Sequence, residues 1–307
     1  NRKTIILVDG LDHIPREQNP VQSLLKDLLP PEQLPPGVLF VLGSQTDELS
    51  DMPTAVQTVI RRPERRIEIK KLPREAIQRI VEKTDAVNFL TVEQITEIGR
   101  LSSGHPLALI YLLRQLEEAD SSEEANEILS RAEPYDGKIE DYYQSLWRRI
   151  DEDDELVDLL GLMARMRGGV DFNWVRSWAE KSLVRRLQRT FAHLFRAEKN
   201  GKWYFFHNSF RLFLIDRTAR EPHGVFDAAR DREIHLELAE KYAESDEAHR
   251  QWEEIYHLYQ AGADEELLSK ASPVFFREQF FKFRSPEAIR ADILLAIRAA
   301  GREGDIV

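Results

Sequence analysis

The sequence predicts an α/β segment at the N-terminal end followed by a chain that is mostly α-helical. Three observations predict it. Apolar runs rich in branched residues, TIILV at 4–8 and VLFVLGS at 38–44, flank a helically spaced VQSLLKDLL at 21–29, which is how parallel strands joined through a helix read. From Pro73 onward, apolar residues recur at helical spacing, with cap and stop residues at the ends of each run. One interruption, LFRAEKNGKWYFFH at 194–207, sets the polar turn Asn200-Gly201 between apolar arms and reads as a hairpin.

The elements follow in order. RIEIKKL at 66–72 alternates as a half-buried or edge strand would. REAIQRIVEKT follows Pro73, a good first-turn residue. TVEQITEIGRLSSG opens on Thr91 with Gln94 at the capping-box position and closes at Gly104. HPLALIYLLRQLEEA restarts at Pro106, and SSEEANEILSRA starts from a cap signal at Ser121. IEDYYQSLWRRI, DELVDLLGLMARM, DFNWVRSWAE and SLVRRLQRTFAHL read as helices, and SFRLFLIDRTA follows the hairpin as another. Helices followed by a short hairpin form the winged-helix pattern. Residues 228–307 are helical again, and IHLELAEKYAE, HRQWEEIYHLYQAG and AIRADILLAIRAAG resemble paired repeats.

Composition bounds the function. The chain has 307 residues, enough for several domains, with 42% hydrophobic and 32% charged residues, as in globular proteins. No run approaches the roughly 18 apolar residues of a membrane helix, so no membrane partner is expected. The opening NRKTIILVDGLD is unlike a signal peptide, because its apolar part is short and ends in acid. The absence of cysteine excludes a disulfide scaffold and a thiolate metal site and fits a cytoplasmic location. A net charge of −11 argues against nucleic-acid binding by the molecule as a whole, yet residues 165–220 hold thirteen Lys/Arg against four Asp/Glu. SLVRRLQRTFAHL could therefore be a basic recognition helix, or its arginines could pair with acids such as DEDDE at 151–155. RRPERR at 61–66 reads as a solvated loop, and His193, His235 and His257 as packing residues with no metal-ligand spacing.

The chemistry begins at IILVDGLDHI, residues 5–14, a strand that ends in Asp9 with Asp12 three residues later. Ligands of open parallel sheets bind outside the carboxyl ends of the strands. A carboxylate there can hold Mg²⁺, usually through water, and a second acid can orient an attacking water. Asp9 suits the first role and Asp12 the second. The alternative is a strand ending in a polar turn, with Asp12 capping the next segment. The phosphate-cradling GxxxxGK[ST] is not in the sequence; GRLSSGHP at 99–106 has the glycine spacing, but His105-Pro106 replaces Lys-Ser/Thr and no strand precedes it.

Four segments in this order resemble the STAND ATPases, the group that includes NACHT and NB-ARC proteins. ILVDGLDHI resembles their Walker B motif, with His13 where NACHT domains often carry Glu. VLFVLGSQ at 38–45 resembles the sensor-1 strand, ending in Ser44-Gln45 where the family usually has Thr/Ser-Arg. SSGHPLALIYLLRQL at 102–116 resembles the GxP motif, carried here by Gly104 and Pro106, and FFHNSFRLFL at 205–214 resembles the motif that closes their winged helix, with His207 at the histidine.

The resemblance implies a fold and a function. The expected fold has the C-terminal half of a P-loop NTPase core at 1–72, a helical lid at 73–138, a winged helix at 139–222 and TPR-like helical repeats at 223–307. Residues 1–307 would be the portion that follows the Walker A segment, with little or no ATP hydrolysis of its own. Asp9 would hold Mg²⁺. Asp9 and Asp12 would be the catalytic acids. Ser44, Gln45, Gly104, Pro106 and His207 would contact ATP or ADP, with the proline against adenine and the histidine against the β-phosphate in the resting state. Exchange of ADP for ATP would release the winged helix, permit self-association and signal to protein partners through the repeats. Two other readings stand beside this one: a DNA-binding regulator that uses the winged helix, and a helical-repeat scaffold with a degenerate nucleotide site.

Overall fold

A computed structural model describes residues 3–12, 24–46, 49, 51–84, 87–198, 201–220 and 224–304. The chain divides into two units, Asn1–Lys71 and Leu72–Val307.

In the first unit, β1 (Thr4–Val8) pairs in parallel with β2 (Val38–Leu42), with Thr4 opposite Val38 and Val8 opposite Leu42. The two apolar runs are therefore strands of one sheet, as their branched side chains favour. A small core of Leu11, Leu25, Leu28, Leu49, Met52 and Val56 packs under Val8 and Leu42 at the carboxyl end of the pair. Helix α1 (Thr54–Ile60), entered through Pro53, supplies Val56. Ile5, Leu7, Leu39 and Val41 are exposed.

Two expectations change here. Of the helix expected over 21–29, the described part is a short 3-10 turn, Leu24–Asp27, and residues 21–23 lie outside the described residues. Three residues per turn suits a segment that must stop before Pro30. The strand expected over 66–72 is absent among the described residues. Its backbone has no regular structure, and Ile67 and Ile69 are 90% and 89% exposed. Alternation encodes a face but not a neighbour, and no described strand offers this segment a ladder.

The second unit is helical apart from one small sheet. Helices α2 (Arg74–Glu82), α3 (Val92–Ser102), α4 (Pro106–Leu116) and α5 (Ser122–Arg131) surround a core that includes Ile77, Val81, Ile98, Leu109, Leu113 and Leu129. The sequence signals act where they stand. Thr91 and Gln94 form the reciprocal capping box of α3, and Ser121 accepts the Glu124 N–H at the start of α5.

Next come α6 (Ile139–Trp147), α7 (Asp154–Arg165), β3 (Val170–Asp171), α8 (Phe172–Trp178), α9 (Lys181–Phe191), β4 (Phe195–Ala197), β5 (Lys202–Phe205) and α10 (Asn208–Thr218). The strands form an antiparallel sheet in the order β3-β5-β4, so the expected hairpin is β4-β5. Asn200 of its turn lies outside the described residues. Gly169 packs so closely on Tyr204 that a Cβ would stand 2.6 Å from the ring.

Helices α11 (Ala228–Ala243), α12 (Ala248–Gln251), α13 (Glu254–Ala261), α14 (Asp264–Lys270), α15 (Pro273–Phe281) and α16 (Pro286–Glu303) complete the chain. One hydrophobic core runs from Tyr111 of α4 through α6–α10 to Ile234, Leu238 and Tyr242 of α11. A buried ion pair crosses the same region: Arg165 of α7, 1% exposed, meets Asp231 of α11 at 2.6 Å. Among the described residues, no helix is long and apolar enough to cross a membrane.

Candidate functional site

In the first unit, four of the sequence-predicted residues lie where the parallel strands end. Asp9 follows β1, and Gly43 follows β2. The strands stay together beyond the ladder: Gly43 N–H donates to Val8 O at 2.8 Å, and Leu11 N–H donates to Gly43 O at 3.1 Å. Gly10 has φ 72°, a left-handed turn that glycine adopts without strain.

The Asp9 carboxylate lies against Gly43. A Cβ on Gly43 would stand 2.2 Å from Asp9 Oδ1, so glycine there leaves the space the carboxylate uses. Asp9 is exposed, and its carboxylate has no hydrogen bond or ion pair among the described residues. Asp12 differs: it is buried, and its Oδ1 accepts the Gln45 N–H at 3.1 Å. Asp12 thus ties the loop after β2 to the end of β1. Ser44 is exposed on the same loop, its hydroxyl donating to Thr46 O at 2.8 Å. Gln45 is exposed. His13, at the glutamate position of the Walker B-like stretch, lies outside the described residues.

This donor set fits a magnesium ion in its chemistry. Mg²⁺ prefers hard oxygens, keeps several waters and commonly takes one or two carboxylates from protein. Asp9 offers such an oxygen, and Asp12 holds the loop beside it. Among the described residues, no cluster of three or more His, Asp or Glu could enclose a metal ion. An ion here would be held through Asp9 and water.

In the second unit, Gly104 and Pro106 lie at the α3-α4 junction. The chain leaves α3 through two left-handed residues, Ser103 at φ 47° and Gly104 at φ 72°. The non-glycine residue is held in place by its neighbours. Ser103 Oγ donates to Tyr135 O at 2.9 Å, and Tyr135 N–H donates to Leu101 O at 2.7 Å. Gly104 is buried, and its carbonyl accepts the Leu72 N–H at 2.8 Å. His105 caps α4, accepting the Ala108 N–H, and its ring stacks on Tyr135 at 4.4 Å. Pro106 is exposed in the first turn of α4. A cleft of about 320 Å³ opens beside Gly104, between Leu72, Ile77, Arg74 and Arg100.

His207 is the N-cap of α10. Its Nδ1 accepts the Ser209 N–H at 3.2 Å and lies 2.7 Å from Ser209 Oγ. With Nδ1 as the acceptor of this bond, Nε2 is the ring nitrogen that carries a hydrogen. The adjoining Phe206 is fixed by its N–H to Leu194 O at 2.8 Å and by the Arg114 guanidinium, 4.3 Å from its ring centre.

Three polar residues that sequence reasoning passed over continue inward from His207. Ser209 Oγ meets the Tyr143 hydroxyl at 2.8 Å, and that hydroxyl meets the Tyr111 hydroxyl at 3.1 Å. Tyr111 and Tyr143 are fully buried, and burial pushes both phenols up, Tyr143 to about 12. Only the serine two residues past the histidine signalled this arrangement, as a helix-start residue. The tyrosines looked like core residues of amphipathic helices.

The basic helix α9 buries Leu183, Val184, Leu187 and Phe191 and exposes Arg185, Arg186 and Arg189. Arg186 pairs with Asp153 at 2.9 Å, one of the acids of DEDDE. His193, His235 and His257 are buried, consistent with packing. No protein-family profile, curated protein or solved structure matches the chain.

Proposed function

We propose that this chain acts as an ADP/ATP-controlled signalling switch of the STAND class, with Mg²⁺ at Asp9 and a nucleotide phosphate as the ligand of His207. The observation that carries the reading is the place of His207 at the N-cap of α10, where its Nδ1 accepts the Ser209 N–H. With Nδ1 an acceptor, the ring's other nitrogen is the one whose hydrogen a phosphate oxygen would accept, in competition with the contacts His207 already makes. Pro106, exposed at the start of α4, supports the adenine-contacting role that the GxP resemblance assigns it. The small sheet with the helices before it supports reading residues 139–222 as a winged helix. Bound magnesium would neutralise phosphate charge beside Asp9, while Asp12 keeps the strand-end loop in register.

A switch of this kind needs two conformations and a ligand that favours one of them. ADP would favour the state in which His207 donates to phosphate, and ATP would favour release, self-association and contact with protein partners through helices α11–α16. The test is titration of the chain with ADP and Mg²⁺ by calorimetry. Without a phosphate loop, binding is expected near 1 mM, worth roughly 4 kcal/mol. His207→Ala removes a hydrogen bond to a charged group and is expected to weaken binding about tenfold or more. No binding, or equal binding by His207→Ala, would overturn the reading.

A further inference from the structure

We infer that the exposed face of α9 is a docking surface for the phosphate backbone of duplex DNA, contacted by Lys181, Arg185 and Arg189. The inference goes beyond the nucleotide switch proposed above and does not rest on it.

Helix α9 carries four cations and no acid over Lys181–Phe191, in a chain whose net charge is −11. Burial of Leu183, Val184, Leu187 and Phe191 fixes one face of the helix and holds the other toward solvent. Lys181, Arg185 and Arg189 recur every fourth residue on that outer face and form one stripe. At about 1.5 Å of rise per residue the stripe is about 12 Å long. A duplex carries one phosphate charge per ~1.7 Å of its axis, so a stripe of this length meets several.

Two fates are open to these cations, pairing with the acids of the chain or facing solvent alone. Arg186 takes the first, meeting Asp153 at 2.9 Å. Lys181, Arg185 and Arg189 take the second: they are exposed and make no ion pair or hydrogen bond among the described residues. Glu180, which precedes the helix, accepts from the Ser182 hydroxyl. Arg176 of α8 donates to Gln188 of α9 at 2.9 Å and brings a further cation, without an acid partner among the described residues, beside the same helix.

A single carboxylate answers one such cation. A duplex offers a phosphate to each and releases its condensed counterions as they are met. The excess acid elsewhere on the chain repels DNA, which confines binding to this face.

The experiment is fluorescence anisotropy of a labelled, mixed-sequence duplex of two helical turns, titrated with the whole chain in the absence of nucleotide at about 50 and about 200 mM salt. Binding is expected at about 1–100 μM at the lower salt. Three phosphate contacts give a slope of log K on log salt of about −2.7, a fall in affinity of about 40-fold between the two salts. Each of Lys181→Gln, Arg185→Gln and Arg189→Gln is expected to remove one contact, leaving a fall of about 12-fold. Asp153→Asn carries the opposite sign. Asparagine keeps a cap for the Leu156 N–H, Arg186 is freed to add a contact, and the fall is expected to grow to about 150-fold. Thermal melts check the fold of each variant.

No duplex binding by wild type, or a salt slope unchanged in the folded variants, would overturn the inference. Polyglutamate that displaces the duplex as well as unlabelled DNA of equal charge would also overturn it and assign the stripe to an acidic protein. Because no nucleotide is present, either failure leaves the ADP reading to its own titration.

Discussion

Removing the carboxylate of Asp231 isolates a buried guanidinium, and the structure sets the size of the effect. Arg165 Nε and Nη2 both donate to Asp231 Oδ1, at 2.8 and 2.6 Å. Nη1 donates to Gly161 O and to Thr218 Oγ1, each at 2.9 Å, and Nη2 also donates to Ile215 O at 3.1 Å. One side chain thus joins α7, α10 and α11 inside the second unit. Burial pushes the Arg165 guanidinium down from its ordinary value, and the charge of Asp231 opposes that push. In Asp231→Ala the cation remains, with two donor groups aimed at a void. Breaking one side of such a pair costs about 3–5 kcal/mol, which in a unit of this size lowers Tm by roughly 6–20 °C. The double variant Arg165→Met/Asp231→Leu removes both charges and is expected to regain most of that loss, because desolvation of the pair offsets much of its attraction. Urea unfolding and thermal melts of the wild type, both single variants and the double variant make the measurement. A loss under about 1 kcal/mol in Asp231→Ala, or a double variant no better than the single, would refute the reasoning.

Two further outcomes are expected. His235 and His257 meet Nδ1 to Nδ1 at 2.9 Å, both buried, so one proton is shared between two nitrogens that face each other. Burial first, then the Arg165 and Arg211 charges, pushes His235 down to about 4 despite Asp231; burial, then His235, Arg167 and Arg165, pushes His257 well below its usual value. Both folded values lie below the unfolded one near 6.5, so the unfolded chain binds more protons in acid. The stabilisation is complete above about pH 6.5 and is lost as pH falls toward 4, by about 1.4 kcal/mol at pH 5.5 from His235, with a loss of the same sign from His257. Urea midpoints at pH 7.5 and 5.5 measure this, and a pH-independent midpoint would contradict it. At the other end of the chain, Gly43→Ala places a methyl group where the Asp9 carboxylate lies. Mn²⁺, used as a Mg²⁺ analogue, is expected to broaden the amide signals of Gly10 and Gly43 in wild type and to do so several-fold less in Gly43→Ala and in Asp9→Asn; equal broadening in all three would remove Asp9 as a metal ligand.

Much of the fold was legible because its signals are local. The capping box of Thr91 and Gln94, the cap at Ser121, the first-turn Pro106 and the glycine turn at 104 each act within a few residues of themselves. Periodicity located the helices from α2 to α11, the last helix α16 and the β4-β5 hairpin, since the spacing of apolar residues along the chain is the spacing of a buried face; it read α12 and α13 as one segment and did not single out α15. Where the same reasoning failed, over 66–72, the pattern was right for a strand but a strand also needs a partner, and none stands beside Ile67 and Ile69 among the described residues. Among the candidate residues, the sequence singled out Asp9 and Asp12 in the first unit and His207 in the second by residue type and setting. It did not identify what each of them touches.

The sequence by itself determined that the chain starts with two parallel apolar strands, ends in helices and carries an aspartate at the end of the first strand and a histidine at a helix start. The tertiary structure decided the rest: that Asp12 is spent on Gln45 while Asp9 stays exposed against Gly43, that His207 is joined through Ser209 and Tyr143 to Tyr111, and that Arg165 finds its counter-charge 66 positions away. The division has a physical cause. Caps, turns and periodic faces are fixed by neighbours a few residues apart, whereas a hydrogen bond or ion pair between distant segments exists only once packing has brought them within about 3.2 Å, and no local pattern records which partner that will be.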